Sequence, residues 1–231
     1  MKIFANPQWA TSNDGKPIAL YSSFDLGSKT PEAPVVVVGG VHGDEPEGVY
    51  LVDGLLSWLR SLNQPTPVSW IIIPCLNPDG LSKNQRVNGR GVDLNRNYPS
   101  SNWSSEYKEP RYYPGPHPGS EPEIQAFVEL IKAYKPPLLI HCHSWNPCVV
   151  LTGEPGHWAA KHLCDSSGYE LVDNIGYPTP GSLSHFGWSD MKIPVICIEA
   201  EERLNSCEVW PKFSGGFANI FLSKKPTTAA G

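Results

Sequence analysis

His42 and Glu45 stand three apart in Val41-His42-Gly43-Asp44-Glu45, directly after the apolar run Val35–Val38. The pair can offer one imidazole nitrogen and one carboxylate oxygen to a single divalent cation. A third donor, His143, follows another apolar run, Leu138–Ile140. Zinc takes such donors, and a catalytic zinc with three protein ligands keeps one position open for water. The metal would lower the pKa of that water towards ~7 and polarise a carbonyl. Amide hydrolysis by this route needs a carboxylate that takes the water's proton and passes it to the leaving amine. Glu199, at the end of Ile193–Ile198, suits that task. If the strand continues, Glu201 points the same way and Glu202 faces away. The reaction also needs positive charge for the oxyanion, which Arg86, Arg90 and Arg96 can supply. A guanidinium can also grip a substrate carboxylate in two-pronged fashion. Asp93 is suited to hold the free ring nitrogen of a zinc histidine.

The elements that must position these groups alternate along the chain. Val35–Val38 and Trp70–Ile73 are continuous apolar runs of the kind found in strands buried on both faces. Leu138–Ile140, Val149–Leu151 and Ile193–Ile198 read as further strands. Residues 47–62 carry apolar side chains at helical spacing, and Glu121–Tyr134 reads as a helix capped by Ser120 and ended by Pro136-Pro137. His157–Ser166 and Phe213–Leu222 are the remaining helix candidates. Asn77-Pro78-Asp79-Gly80 is a strong turn signal. Residues 81–120 show little periodicity and much Gly, Pro, Asn and Ser, and a loop of that length in a compact domain is usually functional. The alternation predicts an α/β fold, a mixed, mostly parallel sheet flanked by helices in three layers. Ligands in such folds bind beyond the carboxyl ends of the strands, where His42, Glu45, His143 and Glu199 fall.

Composition narrows the function classes. The chain has 231 residues, 40% hydrophobic and 18% charged, which suits one globular domain over residues 1–231. The net charge of -5 supplies no basic stripe for nucleic acid. No apolar stretch approaches the ~18 residues needed to cross a membrane. The first residues lack the apolar core of a signal peptide, so the expected setting is the cytoplasm. The six cysteines include no Cys-x-x-Cys pair and are expected to be reduced thiols. No pattern specifies an oligomeric state.

Taken in order, His42-x-x-Glu45, Asn77-Pro78-Asp79-Gly80, Arg86, Asp93-x-Asn95-Arg96-Asn97, His143-Ser144 and a late Glu199 resemble the zinc carboxypeptidases of the carboxypeptidase A type, over roughly residues 35–200. The resemblance implies one zinc per chain on His42, Glu45 and His143, with Glu199 as general base. It implies that Arg86 stabilises the oxyanion, that Asn95 and Arg96 bind a substrate carboxylate, and that Asp93 supports His42. Tyr177 lies about one residue from the position of the tyrosine that caps substrate in the digestive enzymes. Two departures stand out. His141 is an unexpected histidine two residues before His143, able to compete for the metal or to pack. The segment after Gly181-Ser182, Leu183-Ser184-His185-Phe186-Gly187-Trp188, is longer than in the family.

Gly91-Val92-Asp93-Leu94-Asn95-Arg96-Asn97-Tyr98-Pro99, Pro118-Gly119-Ser120-Glu121-Pro122-Glu123 and Gly176-Tyr177-Pro178-Thr179-Pro180-Gly181-Ser182 are similar to the bacterial murein peptide amidases within that family. This narrower resemblance implies hydrolysis of the γ-D-glutamyl–meso-diaminopimelate bond in a murein tripeptide during cell-wall recycling. The alternatives are a carboxypeptidase or acyl-amino-acid deacylase with another substrate, and a non-catalytic peptide-binding relative.

Overall fold

The structure, a computed structural model, describes residues 2–27 and 33–223; the expectation of one domain over 1–231 also spans residues outside these. The elements run β1 (Phe4–Thr11), β2 (Pro17–Ser22), β3 (Val35–Val38), α1 (Pro46–Ser61), β4 (Trp70–Ile73), α2 (Pro78–Lys83), α3 (Pro122–Tyr134), β5 (Leu139–Trp145), β6 (Cys148–Thr152), α4 (His157–Ser167), β7 (Glu170–Val172), α5 (Leu183–His185), β8 (Val195–Glu201) and α6 (Ser206–Leu222). The strands form one eight-stranded sheet in the order β1-β2-β4-β3-β5-β8-β6-β7. The central strands β4, β3, β5 and β8 are parallel neighbours, and antiparallel pairs close in on both sides.

Successive side chains of a strand face opposite ways, and the two cores follow from that. Val35 and Val37 pack with Leu51, Leu55 and Leu59 of α1 and with Phe213 and Phe217 of α6. Val36 and Val38 pack with Ile124, Phe127 and Ile131 of α3 on the other face. Leu55 is fully buried in the first core, so truncating it to alanine would cost about 2–5 kcal/mol. The chain passes from β3 through α1 to β4 on one side, then through α3 to β5 on the other. That reversal opens a crevice at the carboxyl ends of β3 and β5.

The structure revises several expectations. β5 runs from Leu139 to Trp145, so His141 and His143 lie inside the strand rather than beyond it. Leu139 faces the α3 core and Ile140 and Cys142 the other; by alternation His141 and His143 share the face of Leu139. β8 likewise carries Glu199 within it and ends at Glu201. There the alternation fails: Glu202, not Glu201, lines the pocket that His42, Glu45 and His143 border, and the Glu201 N–H bonds the Tyr169 hydroxyl. Asn77-Pro78-Asp79-Gly80 starts a helix, because the Asn77 side chain accepts from the Gly80 N–H at 2.8 Å. Ser120 does not cap α3. Its hydroxyl turns to the Glu121 carboxylate at 2.7 Å, and Glu121 takes the cap position. α6 begins at Ser206, seven residues before the expected start. Asn205 and Glu208 close a capping box ahead of it, and the helix runs through Pro211.

Candidate metal centre and active site

Three local structures deliver the metal-ligand candidates. His42 follows β3 after a turn at Gly40, whose φ of +58° suits glycine. The next glycine, Gly43, lies so close to α2 that a Cβ there would fall 1.9 Å from the Gly80 carbonyl carbon. Glu45 occupies the N-cap of α1, yet its side chain makes no cap hydrogen bond. Its carboxylate turns instead to His42 Nδ1 (2.8 Å), His143 Nδ1 (2.7 Å) and Arg86 Nη1 (3.1 Å). His143 is held by β5 and is buried like His42.

Proton positions follow from the partners of the other ring nitrogens. His42 Nε2 lies 3.1 Å from Asp93 Oδ1, and a carboxylate only accepts, so Nε2 carries the proton. His143 Nε2 lies 2.9 Å from His141 Nδ1. With the proton on His143 Nε2, both Nδ1 atoms, 3.0 Å apart, present lone pairs beside Glu45. Three acceptors converging in a buried space, all within 4.8 Å of one another, repel unless a cation lies among them. This donor set, two imidazoles and one carboxylate, fits zinc.

Asp93 braces the cluster. It is fully buried, and it accepts from His42, from the Asn95 N–H (2.9 Å) and from Arg86 Nε (2.8 Å). Burial alone would raise its pKa, but the Arg86 charge and the hydrogen bond from His42 hold its carboxyl well below the usual range. Arg86 is therefore fixed by two carboxylates through Nε and Nη1.

Glu199 sits in the same pocket, opposite His143 in the β5–β8 register. Burial pushes its carboxyl above the ordinary glutamate range, with His143 opposing and the Glu45 charge adding. The Cys197 thiol donates to Glu199 Oε1 at 3.3 Å. The pocket, about 230 Å3, is also lined by Asn95, Arg96 and Tyr177. Arg96 is almost fully buried, and its Nη1 donates to the Asn95 carbonyl. Asn95 Oδ1 accepts from the Leu183 N–H at 3.0 Å, so its amide group is the part left to face a ligand. Gly181, at φ +72°, lets the loop after Tyr177 touch the Arg96 carbonyl, where a Cβ would come within 2.1 Å. Tyr177 is exposed and packs edge-on to Trp145, ring centroids 5.7 Å apart.

All nine site residues read from the sequence thus border one pocket or brace it. Arg90 does not: it is half exposed and lies 3.7 Å from Glu121. His185 bonds Ser101 instead, at 3.2 Å. His141 contacts His143 rather than the pocket, and its Nε2 is buried without a partner. Sequence reasoning missed Trp145, the Asp44–Arg111 ion pair at 3.2 Å, and Tyr112, whose ring has Arg86, Arg96 and Arg111 within 5.9 Å. Tyr112 lies in an aromatic-rich stretch, residues 103–113, the one local signal that could have found it.

A family model described as zinc carboxypeptidase matches residues 7–185. Murein peptide amidase A of Escherichia coli (strain K12) is 33% identical over 199 residues, covering 80% of this chain and 78% of that protein. Murein peptide amidase A of Vibrio campbellii is 30% identical, covering 71% and 68%. The crystal structure of a murein-tripeptide amidase from Escherichia coli O157 superposes with a TM-score of 0.73 at 30% identity, covering 94% of this chain and 90% of that one. Carboxypeptidase A of Helicoverpa armigera shares the fold, with a TM-score of 0.77 at 16% identity, covering 94% and 66%.

Proposed function

This chain belongs to the zinc carboxypeptidase family, and from that premise we propose that it is a zinc-dependent amidase of murein peptides. It hydrolyses the bond between γ-D-glutamate and meso-diaminopimelate in a murein tripeptide, with residues 1–231 acting as one catalytic domain. The reading is supported above all by one observation: a three-acceptor cluster, the buried Glu199 carboxylate, and Arg86 and Arg96 share a single pocket. The similarity to murein peptide amidase A over most of both chains supports the choice of substrate.

His42, Glu45 and His143 would hold one zinc ion, which when bound supplies Lewis acidity and lowers the pKa of water. The remaining chemistry belongs to side chains. Glu199, its carboxyl pushed above the ordinary glutamate range by burial, takes a proton from the attacking water. The water oxygen bonds to the γ-carbonyl carbon, and the carbonyl oxygen gains negative charge. Arg86, held rigid by Asp93 and Glu45, stabilises that charge with little reorganisation. Glu199 returns the proton to the diaminopimelate nitrogen as the C–N bond breaks. Arg96 and the Asn95 amide hold the carboxylate beside that nitrogen. Tyr177 closes over the substrate from the exposed side. Among the described residues no helix is long and apolar enough to cross a membrane. We place the activity in the cytoplasm of a bacterium, where free thiols such as the six here persist.

Zinc titration into metal-free protein tests this reading. Release of diaminopimelate should rise from zero to a plateau at one equivalent. Full activity in the metal-free protein would overturn it.

A further inference from the structure

The catalytic pocket does not end at Arg96. A second cavity of about 410 Å3 opens beside it, and Arg96, Tyr112 and Tyr177 form the shared wall. Its other walls are mostly apolar, with Tyr107 and Pro178 prominent among them. Three charged side chains also line it: Glu106, Lys108 and Glu109. None of the three forms an ion pair with any described residue. Charges on an exposed loop are usually solvated and idle. These three border an aromatic cavity that shares Arg96, Tyr112 and Tyr177 with a proposed active site, and they carry both signs within four residues.

We propose that this cavity receives the side chain of the residue whose amine is released, and that Lys108 selects a side chain ending in both a carboxylate and an ammonium. The proposal rests on the reading of the site as a murein peptide amidase. If Arg96 grips the α-carboxylate of that residue, the side chain departs from the adjacent carbon and enters space that borders Arg96. Diaminopimelate offers three methylenes and then a carbon bearing an ammonium and a carboxylate. The methylenes suit the Tyr107 and Pro178 walls. The terminal carboxylate meets Lys108, and the terminal ammonium meets Glu106 and Glu109. Lysine, with four methylenes and an ammonium alone, satisfies the glutamates but leaves Lys108 without an anion. The cavity therefore distinguishes the two residues by one charge.

The test uses the zinc-loaded full chain and two substrates, L-Ala-γ-D-Glu-meso-diaminopimelate and its L-lysine counterpart. Steady-state constants are measured for wild type, Lys108→Ala, Lys108→Glu and Lys108→Arg. Lys108 is exposed, so these variants should fold. The expected result is a fall of about tenfold in the kcat/KM preference for the diaminopimelate peptide in Lys108→Ala, carried by KM. Lys108→Glu should lower the preference further, and Lys108→Arg should restore most of it. Equal losses on both substrates, or no change in preference, would overturn the proposal. If wild type cleaves neither peptide, the amidase reading fails separately, and calorimetry with free meso-diaminopimelate still judges the cavity. Weaker binding in Lys108→Ala than in wild type supports the cavity, and equal binding overturns it.

Discussion

His143 on β5 and Glu199 on β8 are direct partners in the parallel register of two adjacent central strands. The sheet, not a flexible loop, sets the separation between a metal-ligand candidate and the proposed base. The same register pairs His141 with Cys197, and the Cys197 thiol holds one Glu199 oxygen. Two residues per strand, alternating on one face, thus place four polar side chains under the pocket.

Replacing Glu199 with glutamine keeps the shape of the side chain and removes the base. We expect zinc content to match wild type while kcat falls by roughly 10²–10⁴-fold, the usual weight of general acid–base catalysis. Metal analysis and steady-state kinetics on the same preparation check this. A near wild-type rate would exclude Glu199 as the base.

His141 positions His143 through the 2.9 Å contact between their rings. His141→Ala should weaken zinc binding about 10–100-fold, the typical effect of losing a partner of a ligand histidine. His141→Asn, which keeps an acceptor near the Nδ1 position, should recover much of it. Chelator competition measures both. Two zinc ions per wild-type chain would instead indicate that His141, His143 and Cys197, also close enough to share a cation, form a site of their own.

Asp93→Asn should act on metal and on stability together. The variant loses the charge that fixes the His42 proton and pairs with Arg86. Breaking a buried pair typically costs about 3–5 kcal/mol, so metal-free protein should melt at a markedly lower temperature. Unchanged melting would mean that the Arg86–Asp93 pair contributes little to the fold.

Gly43→Ala tests backbone packing beneath the site. The added Cβ would meet α2 backbone rather than a movable side chain. The segment carrying His42 and Glu45 must then shift, with a loss of about 1–3 kcal/mol in stability and weaker zinc binding. Thermal denaturation and chelator competition report the two effects. Retention of both would show that the segment can move aside without cost.

Much of this was legible in the sequence, for physical reasons that differ by element. Val35–Val38 and Trp70–Ile73 are buried on both faces, and continuous apolar runs announce such strands. β1 escaped notice because it lies at the sheet's edge, where four of its residues are exposed in succession and polar residues interrupt any pattern; β2, one strand further in, is only six residues long and opens on Pro17. The start of α6 was hidden by Pro211, a residue that normally argues against a helix interior. The metal-ligand candidates were legible because two histidines and a carboxylate stand just beyond continuous apolar runs, whereas the roles of Arg86, Asn95 and Arg96 came from the resemblance to a family. Tyr112 and Trp145 were not, since an aromatic side chain in a connecting segment or at a strand's end packs or binds with equal ease until its neighbours are known. The Lys108 cavity depends on residues 104–114 meeting residues 177–180, a long-range contact with no local signature.

The most direct test of the central claim is mass-spectrometric product analysis after zinc-loaded protein is incubated with L-Ala-γ-D-Glu-meso-diaminopimelate. The account predicts free diaminopimelate and L-Ala-D-Glu as the products, with none formed in the presence of a chelator or by Glu199→Gln. Intact tripeptide after incubation with zinc-bound wild type, or cleavage at the L-Ala–D-Glu bond, would contradict it.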